Sequence, residues 1–141
     1  MIYGANPGLG LAILRIVIGV IFVAHGWPKL SGGVAGTAEF LGSLAVPFPL
    51  MVAWFLAILE TVGGLLLVVG YLVVPVAALL AAHMTAGIFL VHLPNGFFVV
   101  GSGQNGIEFN LLLVAGLLTL MFVGSGHWTL KSRFQKDITV A

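Results

Sequence analysis

Residues 9–27 read LGLAILRIVIGVIFVAHGW, nineteen positions with one charged side chain, Arg15. A helix needs about 20 apolar residues to cross the hydrocarbon of a bilayer. This run meets that length. It is also longer than the apolar core of a signal peptide, about 7–15 residues, and no basic segment precedes it. It is therefore read as a retained first span.

Three more stretches repeat the pattern: 49–70, carrying Glu60; 72–92, carrying His83; and 107–123, the shortest, with Glu108 at its mouth. All four runs are continuous rather than alternating, which favours helices over the strands of a closed barrel. The expected fold is all-α: an integral membrane four-helix bundle over residues 1–130, followed by a short basic tail at 131–141. Composition agrees. The 141 residues are 60% hydrophobic and 6% charged, whereas a soluble domain carries roughly a quarter charged residues.

Between the spans the chain changes character. From Pro28 to Phe48 it is rich in glycine and proline and reads as a loop. Gly70 and Tyr71 leave almost no link between the second and third spans, so these form an antiparallel hairpin, with Pro75 tolerated in a first helical turn. Another glycine-rich connection, from His92 to Gly106, contains Pro94-Asn95-Gly96. Lys131, Arg133 and Lys136 follow the last span, while the loops of the opposite side hold only Lys29. Basic residues mark the cytoplasmic side. Both termini are thus expected in the cytoplasm.

Several functions are disfavoured by composition. A net charge of +1 without a basic stripe argues against a nucleic-acid partner. The absence of cysteine removes disulfides, thiolate metal sites, persulfide carriers and covalently attached c-type haem. Redox chemistry would need a cofactor, a metal held by histidine and carboxylate, or a partner subunit.

Ionisable groups inside spans are costly and mark function by default. Arg15, Gly19, Phe22, Gly26 and Lys29 fall on one helical face. Ala53, Ala57, Glu60, Gly63 and Gly64 fall on another. Small residues let helices approach closely, so both charges face inward and an Arg15–Glu60 ion pair is expected. Such a pair either locks helix register or forms a polar floor beneath a quinone or proton site, with His83 as the proton-exchanging neighbour.

A second constellation gathers at the outward helix ends: His25, Trp27 and Lys29; His92, Asn95, Phe97 and Phe98; Glu108 and Asn110. His25, Lys29, His92, Asn95 and Glu108 form a candidate quinone head-group pocket. The alternative is an interfacial belt that only anchors helix ends. A haem on His25 and His92, or a metal on His25, His92 and Glu108, is the sharper reading, and neither group is expected. His127, beside Trp128, lies on the other side.

These residues also spell a pattern. Leu14-Arg15-Ile16-Val17-Ile18-Gly19 followed by His25-Gly26-Trp27-Pro28-Lys29-Leu30 resembles the opening of the DoxX family. Phe40-Leu41-Gly42 with Pro47 and Pro49, Glu60 before Gly63-Gly64, His92-Leu93-Pro94-Asn95-Gly96-Phe97-Phe98, and the closing Gly124-Ser125-Gly126-His127-Trp128-Thr129-Leu130 extend the likeness along nearly the whole chain. The resemblance implies a small four-span protein of the bacterial inner membrane. Relatives of this kind are linked to redox work: the DoxD type is the membrane subunit of a thiosulfate:quinone oxidoreductase, and another member is associated with a complex containing a superoxide dismutase and a thiosulfate sulfurtransferase. Most members have no defined activity.

The expectation is a membrane subunit of a quinone-linked redox system, with the bilayer, a separate redox partner protein and further copies of itself as candidate partners. Its rivals are a non-enzymatic assembly scaffold and a small proton-coupled transporter that relays through Glu60 and His83. No nucleophile-and-base motif stands out, and whether this chain is itself catalytic is left open.

Overall fold

The computed structural model describes residues 6–101 and 105–130. The expected basic tail at 131–141 lies outside these residues. Helix α1, Pro7–Pro28, opens on Asn6, whose side-chain oxygen accepts from the Leu9 amide at 3.0 Å, with Pro7 in its first turn. Past Pro28 the backbone stays helical through a wide π-type turn at Lys29–Gly33 and enters α2, Val34–Ser43. Gly32, at φ 154°, marks a kink between them.

This corrects the loop expected from Pro28 to Phe48. Glycine and proline content suggested it. However, Val34, Ala38 and Leu41 recur at helical spacing, and they pack with Ala53 and Ala57. Burial of that stripe outweighs the poor helix propensity of Gly33, Gly36 and Gly42. Only residues 44–48 remain as a link.

Helix α3 covers Pro49–Val69. Gly70, at φ 73°, ends it: its amide donates to the Leu67 carbonyl and that of Tyr71 to Leu66, a Schellman-type closure. Helix α4, Val73–Gly87, follows at once and continues through a widened turn, Ile88–His92, and a 3-10 turn, Leu93–Asn95. Helix α5 is Glu108–Val123. Among the described residues there is no strand.

Three helical runs are long and apolar enough to cross a membrane: Pro7–Ser43, Pro49–Val69 and Val73–Asn95. Helix α5 is apolar but shorter, at 16 residues. The outward surface is as greasy as the interior, with Phe48, Met51, Phe89, Leu112 and Phe122 all more than half exposed. Water would not tolerate so much contiguous apolar area, and lipid does. The protein is a membrane protein.

The main core joins Ile18 and Phe22 of α1, Leu67 of α3, Ala77 and Leu80 of α4, and Leu113 and Leu117 of α5. A smaller core holds α2 on the first half of α3. Helices α1 and α3 cross at Gly19 and Gly64. A Cβ on Gly19 would lie 2.6 Å from the Gly64 carbonyl oxygen, and one on Gly64 would lie 2.7 Å from that of Gly19. Any larger residue at this crossing would push the helices apart, as at small-residue interfaces in membranes generally. The start of α1 and the segment after α5 meet at one end, where the His127 amide donates to the Gly8 carbonyl at 3.0 Å.

Candidate functional site

Glu60 lies near the middle of α3 and is 2% exposed. Its carboxylate accepts from Lys29 Nζ at 2.6 Å on both oxygens. His83 Nε2 stands 2.8 Å from Oε1. The three side chains come from three elements: the turn after α1, α3, and α4. Gly26 makes the approach possible, since a Cβ there would lie 2.6 Å from the Thr61 amide nitrogen and 2.7 Å from Glu60 Cβ. Lys29 follows one turn later, and its flexible stem reaches back along α1 to the carboxylate. Because α3 and α4 form a tight hairpin, His83 arrives at the same depth.

The expected Arg15–Glu60 pair is not formed. Arg15 is fully buried and gives all five of its N–H donors to backbone carbonyls. Nε donates to Ser125 at 3.1 Å, Nη1 to Leu67 and to Val68 at 2.8 Å, and Nη2 to His127 at 3.2 Å and Trp128 at 3.0 Å. The physical reason is axial position. Arg15 lies at the C-terminal end of α3, where the last carbonyls lack helical partners and the helix dipole is negative. From Leu67 to Glu60 is seven residues, about 10 Å of helix rise, beyond what the guanidinium spans while bound there. Helical phase placed both charges inward; it did not place them at one depth.

Lys29, expected among the outward polar residues, meets Glu60 instead. The signal for its true place was present. Lys29 continues the Arg15–Gly19–Phe22–Gly26 stripe, provided that the helix runs past Pro28, as it does.

The remaining members of the expected outer pocket are not gathered in one cavity. His25 is exposed on α1. His92 Nδ1 lies 2.8 Å from the Asn105 carbonyl oxygen, and Asn95 Nδ2 donates to the Val91 carbonyl at 3.0 Å. Glu108 accepts from the Val99 amide at 2.8 Å. Backbone bonds from Gly106 to Phe98, from Ile107 to Gly96 and from Glu108 to Phe97 close the same loop. His92, Asn95 and Glu108 thus help to hold residues 96–99 against residues 105–108. An open groove of about 410 Å³ beside it is lined by Val99, Val100, Glu108, Phe109 and Leu112, and includes none of Lys29, Glu60 and His83.

Chemically, the cluster joins a buried carboxylate to two groups that can carry protons, an ammonium and an imidazole. The carboxylate and the imidazole are within hydrogen-bond distance at 2.8 Å, and the ammonium compensates the carboxylate's charge. Glu60 is sealed, while the side chains of Lys29 and His83 are 30% and 15% exposed. Lys29 has three ammonium N–H groups and can donate beyond the carboxylate, whereas His83 Nδ1 donates only when the ring carries both protons.

A family model described as DoxX matches residues 10–93, a stretch that includes Arg15, Lys29, Glu60 and His83. Among curated proteins, the chain is 29% identical over 133 residues to "Inner membrane protein YphA" of Escherichia coli (strain K12), covering 93% of this chain and 94% of that one. It is 32% identical over 117 residues to "Putative oxidoreductase CatD" of Bacillus subtilis (strain 168), covering 83% and 81%. "Inner membrane protein YqjF" of Escherichia coli (strain K12) is 29% identical over 133 residues, covering 91% and 94%. No solved structure matches the chain.

Proposed function

The chain belongs to the DoxX family, and from that premise we propose that it is a four-span inner-membrane subunit of a quinone-linked redox system, with Lys29, Glu60 and His83 as its head-group and proton-exchange site. The observation that carries this reading is the geometry of Glu60: a sealed carboxylate between two partly exposed donors in the middle of a membrane helix. A relative named as an oxidoreductase and two named as inner membrane proteins favour the same direction.

The donor set fits a quinone. Such a head group offers carbonyl oxygens that accept hydrogen bonds; Lys29 supplies a donor, and His83 supplies a second through Nδ1 when its ring is doubly protonated. When bound, the quinone supplies two-electron, two-proton redox chemistry. Electrons would enter from a separate redox protein. The part of this chain is to orient the head group through Lys29 and His83 and to pass a proton between Glu60 and His83.

Connectivity supports a fourth crossing by α5. Three crossings would leave the chain on the side opposite to its start, yet His127 is bonded to Gly8. A helix of 16 residues is about 24 Å long, and local thinning of the bilayer accommodates it. The basic residues of the tail, Lys131, Arg133 and Lys136, favour both termini on the cytoplasmic side.

The test is a quinone titration of the protein purified in mild detergent, beside Glu60→Gln. Wild type should bind quinone, and the variant should insert normally but lose proton-coupled turnover with its partner. If no quinone binds and the variant supports full redox activity in cells, this reading fails. The assembly scaffold is favoured by one observation: Glu60 is already neutralised from within the protein. It predicts that Glu60→Gln disturbs partner recovery by crosslinking and leaves quinone chemistry alone.

A further inference from the structure

Thr61 follows Glu60 on α3 and is 4% exposed, yet its hydroxyl oxygen has no hydrogen-bond partner among the described residues. Thr37 and Thr119, also in helices, behave differently. Each donates back to the carbonyl four residues earlier, to Gly33 at 3.0 Å and to Ala115 at 2.9 Å. Thr61 makes no such bond to Ala57. An unmade hydrogen bond in an interior surrounded by lipid is costly. Valine has nearly the same shape and would avoid that cost.

What the oxygen touches is α1. A Cβ built on Gly26 would lie 2.6 Å from Thr61 Oγ1, 2.6 Å from the Thr61 amide nitrogen and 2.7 Å from Glu60 Cβ. In glycine a hydrogen occupies that direction, so a Cα–H bond of Gly26 points at this group of atoms, with Oγ1 as the acceptor among them. Such contacts recur where helices pack closely. Size matters as much as attraction. Carbon rests about 3.3–3.6 Å from oxygen in a contact of this kind and about 3.5–4.0 Å from another carbon. A methyl group in place of Oγ1 would hold α1 away from α3 by roughly a few tenths of an ångström.

The level of this contact gives it a consequence. Gly26 packs beside Glu60, and Lys29 stands three residues on, about 4.5 Å further along the helix. Its Nζ lies 2.6 Å from both Glu60 oxygens. Gly19 and Gly64 fix the helix crossing about two turns away; Gly26 and Thr61 fix the end that carries Lys29. We infer that Thr61 is a positioning residue of this site: its hydroxyl oxygen is the surface on which α1 closes at Gly26, and that closure sets the Lys29 ammonium on the Glu60 carboxylate. The role belongs to the ion pair itself and is independent of what the cluster binds.

The experiment measures how fast Lys29 is acetylated by acetic anhydride in the full chain in mild detergent, read by peptide mass spectrometry against Lys131 and Lys136 of the same sample. An ammonium held on a carboxylate must leave it and lose a proton before it reacts, so the rate reports the pair and not stability alone. Glu60→Gln sets the rate of a released lysine. Thr61→Val should raise the Lys29 rate about 2- to 5-fold, the worth of one Cα–H···O contact. Thr61→Ser, which keeps the oxygen and drops the methyl, should stay at the wild-type rate. If Thr61→Val does not yield a monodisperse protein, Thr61→Ala takes its place in the comparison with Thr61→Ser. A wild-type rate in Thr61→Val, or in Thr61→Ala where that is used, overturns the inference, since the hydroxyl would then be an unpaired group without influence on Lys29. An equal rise in Thr61→Ser overturns it too, because the oxygen would not be what matters. If Glu60→Gln fails to speed Lys29, the pair does not restrain the lysine and nothing is left for Thr61 to position.

Discussion

Two buried charges, Arg15 and Glu60, meet the same physical problem in different ways. At one end of α3, a guanidinium is satisfied by five backbone carbonyls from α3 and the 125–128 segment. In the middle of α3, a carboxylate is satisfied by two side chains, Lys29 and His83. Backbone carbonyls cannot change protonation and are fixed by the fold, so the first solution is a clamp. Side chains can rearrange where backbone cannot, so the second is the solution compatible with the proposed exchange. The contrast predicts that the first is architectural and that the second, on the function proposed here, is chemical.

The largest expected effect breaks the clamp. Arg15→Ala removes five charge-assisted bonds, each worth about 1.5–3 kcal/mol at most, and leaves buried carbonyls unmet. A loss of about 4 kcal/mol or more should appear as failure to survive detergent extraction, or as a collapse of the thermal midpoint. Arg15→Lys keeps the charge but has three donors for five acceptors and should fall between. If Arg15→Ala melts like wild type, the clamp is not structural.

Next comes the crossing that sets the register of both sites. Gly19→Leu inserts a side chain where even a Cβ would lie 2.6 Å from the Gly64 carbonyl oxygen. Overpacking of this kind costs about 1–3 kcal/mol, and quinone binding should fall with stability, measured on the same sample. A stable variant with intact binding would show that α1 and α3 do not depend on this contact.

Smaller still is the stability effect of Glu60→Gln, because Lys29 is partly exposed and can find other solvation. Loss of redox function with only a modest shift in midpoint is the expected pattern. Equal losses in Arg15 and Glu60 variants would erase the contrast between clamp and exchange site. The smallest effect belongs to His92→Ala and Asn95→Ala. Asn95 is exposed and His92 only partly buried, and their bonds lie within one loop, so midpoint shifts should correspond to under about 1 kcal/mol.

Much of this molecule was legible in its residues. Spans expected at 9–27, 49–70, 72–92 and 107–123 compare with helices Pro7–Pro28, Pro49–Val69, Val73–Gly87 with its extension to Asn95, and Glu108–Val123. Long apolar runs must satisfy their own backbone when lipid is the solvent, which leaves the helix as the local answer whatever the packing. The inward faces of Arg15 and Glu60 were equally readable, because helical phase is a property of the chain alone. Less legible was α2: its glycines read as a loop until Ala53 and Ala57 gave Val34 and Leu41 something to pack against.

Partnership was decided only in three dimensions. Which cation meets Glu60 depends on axial offset between α1 and α3, and that offset is fixed by the backbone contact of Gly19 with Gly64 and by continuation of the helix past Pro28. Hydropathy sees solvent and phase sees direction, but neither records depth. The close approach of two helices does, and it gave Arg15 to the carbonyls and Lys29 to the carboxylate.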